Sequence, residues 1–303
     1  MQKDSIQYIK KLLADQQPMQ PVPTEVQAKL HPCIKFRAVV FDIYGTMLIS
    51  SSGDIDQTEI KEENLKEALE ASGVSINGSI QEALSTILSD YRYTIRIFNE
   101  AARKNQVQYP EIDILSIWKI ILIHSRRKGL IRFADDIDIK LLVCVFEFLS
   151  NKVYPMPGLK EVIKDLHDIC IPLGIISNAQ FYTPILMNYY LQDQILLNER
   201  IKGFDHDLTV FSYKYGKGKP DQELYGELVI NLKRKYGIKP SEVLLVGNDM
   251  IKDIYGGNKA GFRTALFAGD KRSLRMYEGN KLVNGLKPDY IVTDLKQVLK
   301  IIS

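Results

Sequence analysis

"FRAVVFDIYGTMLIS", residues 36–50, decides the fold. A short apolar run rich in β-branched residues, "IKFRAVVF", stops at an acid, Asp42, and Gly45-Thr46 follows three residues later. Such a run, without polar alternation, predicts a strand at 35–42 buried on both faces of a parallel sheet. In open parallel sheets, ligands bind outside the carboxyl ends of the strands. Asp42 therefore stands where chemistry is done.

Working outward, residues 55–150 read as helix. "EENLKEALEASG", "SIQEALSTILSDYRYTIRIFNEAARK", "EIDILSIWKIILIHSRRKG" and "DIDIKLLVCVFEFLSN" carry helix-period apolar residues, with no strand signal between them. After Tyr154, strands ("IPLGIISN", "DLTVFSY", "EVLLVGN", "RTALFA", "DYIVTD") alternate with helices ("PGLKEVIKDLHDI", "TPILMNYYL", "DQELYGELVINLKRKYG", "IKDIYGGNKAG", "LKQVLKII"). That alternation predicts an α/β, Rossmann-like doubly wound parallel sheet. The core spans 35–54 and 151–303, and 55–150 is an inserted all-helical domain. Residues 1–34 form an N-terminal extension. Its "SIQYIKKLLADQ" is an amphipathic helix, packed on the domain surface or free to hold a partner, and the prolines of "QPMQPVP" stop it.

Composition narrows the classes. The 303 residues carry 40 Lys plus Arg against 37 Asp plus Glu, a net charge of +3. That balance gives no argument for nucleic acid or a membrane surface. The polar N-terminus lacks the apolar stretch of a signal peptide, and "IDILSIWKIILIH" is too short to span a bilayer. Three cysteines, Cys33, Cys144 and Cys170, show no metal-ligand spacing and fit a reducing compartment, with Cys144 and Cys170 expected in the core. The expectation is a cytoplasmic protein acting on a small anionic substrate. A homo-oligomer is compatible with the sequence.

Polar groups stand at four strand ends in order: Asp42, Tyr44 and Thr46; Ser177 and Asn178; Lys214, Lys217 and Lys219; Asp249 and Asp253. A carboxylate there can attack an electrophile. Asp249 and Asp253, four apart, can face one point, and Mg²⁺ binds through one or two carboxylates with phosphate oxygens and waters. Ser177 and free backbone N–H groups beside it can hold a non-bridging oxygen. A lysine neutralises developing charge.

Together "DIYGT", "IISNAQ", "GKPD" and "VGNDMIKD" resemble the four motifs of the haloacid dehalogenase superfamily, over residues 35–48 and 155–295. The resemblance implies that Asp42 is the nucleophile and that Asp42, the Tyr44 carbonyl, Asp249 and Asp253 hold Mg²⁺. It implies that Lys219, Ser177, Asn178 and Thr46 hold the transferring group, and that the helical insertion closes over the substrate as a cap. Among the three lysines, Pro220 favours Lys219. The expected activity is a Mg²⁺-dependent phosphatase.

Tyr44 departs from that pattern. The superfamily's phosphatases place a second Asp there, which protonates the leaving alcohol. A phenol is a poor base at neutral pH, and tyrosine here resembles the 2-haloacid dehalogenases, whose halide leaves without a proton. A metal-independent dehalogenase and a weakly active binding protein therefore remain alternatives. His124 is a candidate proton donor from the insertion. Arg92 and Arg96, a helical turn apart, are candidates for an anion clamp or an exposed face. Trp118 is read as core of the insertion.

Overall fold

Residues 3–30, 35–51 and 60–302 are described by a computed structural model. Cys33, and the junctions expected after residues 34 and 54, fall at or outside the limits of the described residues.

Helix α1 (Lys3–Ala14) precedes strands β1 (Ala38–Phe41) and β2 (Leu48–Ser50). Helix α2 (Glu62–Ala71), strand β3 (Ser75–Ile76), helices α3 (Ile80–Lys104) and α4 (Ile114–Arg127), strand β4 (Ile131–Arg132) and helix α5 (Ile139–Ser150) follow. Then come β5 (Val153–Pro155), α6 (Leu159–Asp168), β6 (Leu173–Ser177), α7 (Thr183–Gln192) and β7 (Thr209–Phe211). The chain closes with α8 (Gln222–Tyr236), β8 (Val243–Gly247), a π-helical turn at Met250–Tyr255, α9 (Gly256–Lys259), β9 (Arg263–Phe267), β10 (Tyr290–Val292) and α10 (Gln297–Ile302).

Six of these strands form one parallel sheet in the order β10-β9-β8-β1-β6-β7. Each strand is four or five residues long at the centre and fully buried there. β1 shows why the apolar run is continuous. Val39 and Phe41 enter the larger hydrophobic cluster, shared with α6 and the insertion, while Ala38 and Val40 enter the cluster under α8. Strand order reverses between β1 and β8, because the chain first builds outward to β7 and then restarts at β8. That crevice is the expected ligand position of a doubly wound sheet.

The helices begin where their caps dictate. Asp113 accepts from Leu115 N at 3.1 Å to start α4, and Asp138 accepts from Leu141 N at 3.1 Å to start α5. Trp118 is fully buried against Tyr91 and Phe146, with ring centroids 5.0 and 4.9 Å away, as expected for the core of the insertion.

Two short pairings were not signalled by sequence. Inside the insertion, β3 and β4 pair antiparallel over two residues each, so this block is not wholly helical. Pairs this short lack the alternation that marks a strand. At its base, β2 pairs antiparallel with β5, so the two chain crossings between insertion and sheet are bonded to each other.

The N-terminal segment packs on both parts. Ile9 and Leu13 of α1 are buried in the larger cluster. Ser5 Oγ donates to Asp138 of α5 at 2.7 Å, and Lys10 pairs with Asp193 at the end of α7. Further on, Thr24 Oγ1 donates to Ala268 O at 2.6 Å and Lys29 pairs with Ile291 of β10. Of the two expectations for this segment, surface packing is the one observed. Cys144 is buried as expected, but Cys170 is exposed: it follows α6 with positive φ, turned out of the core.

Candidate active site

β1 ends in Asp42, whose backbone N–H still donates to Val246 O of β8 at 2.9 Å. The ladder thus fixes the acid at the crevice mouth. Gly45 follows with φ +85°, and a Cβ there would lie 2.5 Å from Ser273 Cβ and 2.6 Å from Asn248 Nδ2. Only glycine lets this turn pass so close beneath the site.

Asp42 is nearly buried, at 5% exposure, and its oxygens have distinct partners. Oδ1 accepts from Ser177 Oγ at 3.0 Å and from Lys219 Nζ at 2.6 Å. Oδ2 is reached only by the Thr46 hydroxyl, at 3.5 Å, among the bonds described. The same hydroxyl donates to Asn248 Oδ1 at 3.1 Å. Lys219 also donates to Asp253 Oδ1 at 2.5 Å, so one buried ammonium bridges two buried acids. Burial pulls the lysine pKa down, but Asp253 and Asp42 more than offset it, and the ammonium stays charged. Burial pushes the Asp253 carboxyl up against the pull of Lys219, with Asp42 and Asp249 adding to the rise.

Lys219 is the lysine of the site. Its rivals face outward, Lys214 to Glu199 and Lys217 to Glu223. Asn178 Oδ1 accepts from the Lys219 backbone N–H at 2.7 Å and so positions the lysine loop. Of the backbone N–H groups after Ser177, that of Ala179 donates to Ser212 Oγ and that of Gln180 to Thr183 Oγ1.

The acid pair also holds local structure. Asp249 caps the π-helical turn: Oδ1 accepts from Ile251 N and Lys252 N at 2.8 and 2.7 Å, and Oδ2 accepts from Tyr277 OH at 2.8 Å. Asp253 gives one oxygen to Lys219 and the other to Asp249 N. Both oxygens of each acid thus already accept hydrogen bonds. Among the described residues, no three His, Cys, Asp or Glu side chains converge to hold a metal. All four of the expected metal set, Asp42, Tyr44, Asp249 and Asp253, line the cavity at the crevice mouth, and the carboxylates of Asp249 and Asp253 are also engaged by the turn and by Lys219. The oxygens grouped about Thr46, Asp42 Oδ2 and Asn248 Oδ1, add further donors. They are hard donors with one negative charge, which suits Mg²⁺ alongside waters and phosphate oxygens. Asn248 was missed because an amide after Gly247 reads as an ordinary turn residue.

Tyr44 is half-buried, and its hydroxyl lies 2.9 Å from Thr183 Oγ1. Burial raises the phenol pKa, Thr183 lowers it, and the charges of Glu147 and Asp42 raise it further, so it stays neutral. His124 is exposed on α4 and lies 3.7 Å from Asp90, outside the residues that line the site. Arg96 lies over the Tyr93 ring and near Glu100, on an exposed face, and neither it nor Arg92 lines the site.

A cavity of about 120 Å³ opens above Asp42, lined by Ser177, Asn178, Lys219, Asn248, Lys252 and Arg275 among others. A second, of about 330 Å³, shares Asn178, Lys219 and Lys252 and runs between core and insertion past Tyr91, Arg103, Glu147 and Tyr182. The insertion thus forms one wall of the approach to Asp42. Glu147, Glu111 and Arg103 had no sequence signal, since they lie in helix and loop segments far from the strand ends.

A family model for haloacid dehalogenase-like hydrolases matches residues 36–261. The chain is 26% identical over 232 residues to a glyceraldehyde 3-phosphate phosphatase of Methanopyrus kandleri, covering 75% of this chain and 82% of that protein. It is 26% identical over 148 residues to a glyceraldehyde 3-phosphate phosphatase of Pyrococcus furiosus, covering 49% of this chain and 54% of that protein. In fold it is similar to a 2-haloacid dehalogenase from Pseudomonas syringae pv. Tomato DC3000, with a TM-score of 0.53 and 16% identity, covering 89% of this chain and 98% of that one. Among the described residues no helix is long and apolar enough to cross a membrane. The ordered strand-end motifs, the crevice they meet in and the match across most of the chain together establish that this protein belongs to the haloacid dehalogenase-like hydrolases.

Proposed function

We propose that the protein is a phosphatase of a small phosphorylated metabolite, working through an aspartyl-phosphate on Asp42. The observation that carries this reading is the densely charged mouth of the site, where four carboxylates, Asp42, Glu111, Asp249 and Asp253, meet three cations. Lys219, Lys252 and Arg275 all line the cavity over Asp42, together with Ser177 and Asn178. An alkyl halide has no use for so charged a site, whereas a phosphoryl group disperses charge over its oxygens, where these cations and a bound Mg²⁺ can stabilise it. The glyceraldehyde 3-phosphate phosphatases similar to this chain point the same way.

In this mechanism Asp42 attacks phosphorus, forming the carboxylate–phosphorus bond as the bond to the leaving oxygen breaks. Lys219 holds Asp42 in line and keeps its charge matched, and Ser177 and Asn178 hold the phosphoryl oxygens. Asp42, the Tyr44 carbonyl and Asn248 would hold Mg²⁺, which supplies neutralisation of the phosphoryl charge when bound. Asp249 and Asp253 support that arrangement by fixing the turn and Lys219. The α2–α5 insertion would act as a cap that excludes water.

The test is phosphate release from a panel of phosphomonoesters that includes glyceraldehyde 3-phosphate, with Mg²⁺ and then with EDTA. Turnover that needs Mg²⁺ and vanishes in Asp42→Asn supports the reading. No turnover with Mg²⁺ present overturns it. The second reading, a metal-independent dehalogenase, is favoured by neutral Tyr44 beside the nucleophile. Halide release from 2-chloropropionate persisting in EDTA would establish it.

A further inference from the structure

A phosphatase must protonate its leaving alcohol, and Tyr44 occupies the place where the superfamily's acid would stand. We propose that Glu147 of α5 is the acid–base group of this reaction, a role that rests on the phosphatase reading above.

The geometry sets it apart from the carboxylates that line the cavity over Asp42. Glu147 is half-buried and forms part of the wall of the larger cavity, which it shares with Lys219 and Asn178. Two phenols clamp it: Tyr182 OH donates to Oε2 at 3.1 Å and Tyr91 OH to Oε1 at 3.4 Å. Tyr182 immediately precedes Thr183, the partner of the Tyr44 hydroxyl, so the chain links the Glu147 clamp to the residue that holds Tyr44. Its charge reaches the Tyr44 phenol. Glu111 also lines the cavity, but its oxygens accept from Ser212 Oγ, Gln180 Nε2 and Ile112 N. Asp249 and Asp253 are committed as described above.

Burial lifts the Glu147 carboxyl to about 7, with Tyr182 and Tyr91 pulling it down. It can therefore hold a proton at neutral pH and also lose it. In the first step Asp42 bonds to phosphorus, the ester P–O bond breaks, and the departing oxygen takes the Glu147 proton. In the second step water attacks the aspartyl-phosphate and gives its proton to the Glu147 carboxylate. The Asp42–phosphorus bond then breaks, releasing inorganic phosphate and restoring both carboxyl groups.

The experiment compares phenyl phosphate, whose leaving phenol needs a proton, with 4-nitrophenyl phosphate, whose leaving group is stable as the anion. Glu147→Gln is expected to lower kcat/KM about 100-fold on phenyl phosphate and less than about 5-fold on 4-nitrophenyl phosphate. In the unsubstituted protein, kcat/KM on phenyl phosphate should fall as pH rises through about 7, and the 4-nitrophenyl rate should not. Equal losses on both substrates, or absence of that difference between the two native pH profiles, would overturn the role of Glu147 while leaving the phosphatase intact. The native profiles also decide the matter if the variant fails to fold. Release from neither ester, nor from any other phosphate, would overturn both readings together.

Discussion

The Tyr44 hydroxyl lies 2.9 Å from Thr183 Oγ1, so the side chain beside the nucleophile is tied to the start of α7 and not to the reacting centre. Removing that hydroxyl in Tyr44→Phe should cost about 1 kcal/mol of stability, the usual worth of one buried hydrogen bond. Phosphatase kcat/KM should stay within about 3-fold, because the phenol carries no proton in the reaction. Urea unfolding and steady-state kinetics check the two halves. A loss of activity far beyond the loss of stability would return Tyr44 to the chemistry.

Lys219 stands between Asp42 and Asp253 at 2.6 and 2.5 Å. Lys219→Met leaves two buried acids facing each other, and breaking a buried pair by removing one partner costs about 3–5 kcal/mol. The melting temperature should drop accordingly and phosphate release should fall below detection. Adding Asp253→Leu should recover stability but not activity. If the double variant is no more stable than the single one, the charge-balancing role of Lys219 fails.

Asp249 and Asn248 should separate stability from metal response. Asp249→Ala removes the acceptor of two helix N–H groups and of Tyr277, a loss of about 1–2 kcal/mol. Asn248→Ala should instead raise the Mg²⁺ concentration needed for half-maximal phosphate release. Both are read by thermal melts and metal titrations. A Mg²⁺ response altered by Asp249→Ala alone would restore Asp249 to the metal set.

The strand tips were legible in the sequence because the apolar runs break at polar residues that serve the site, namely Asp42, Ser177 and Asp249. The periodicity of α3 likewise matched its observed span. What escaped notice was set by tertiary neighbours. Asp249 and Asp253 look alike as acids four apart, and only the turn they cap shows that one satisfies backbone and the other satisfies Lys219. Glu147 lies in an apolar helix, where nothing local distinguishes a cleft carboxyl from a solvated one.

Stability should carry the mark of Glu147. Its pKa of about 7 lies above the ordinary value of 4.5, so between those pH values the folded state holds the proton more tightly than the unfolded chain. Folding stability then declines as pH rises across that window. Relative to the native protein, Glu147→Gln should gain about 1–2 kcal/mol at pH 8 compared with pH 5, a figure reduced for the residue's partial exposure. Denaturant titrations at the two pH values measure it, and parallel curves would refute the burial of a titrating carboxyl.

The N-terminal segment gives the molecule a seat belt. α1 is fastened to the insertion through Ser5, Ile9 and Leu13, and to the sheet side through Lys10. The chain then runs on to be anchored again along β9 and β10 at Thr24 and Lys29. Any swing of the insertion away from Asp42 must either carry α1 with it and strain the Lys10 end, or peel Ile9 and Leu13 from their apolar bed. A fragment starting at β1 would keep every side chain that touches the substrate, yet its cleft would open more freely. On the phosphatase reading proposed above, water would reach Asp42 in such a fragment more readily than in the whole chain.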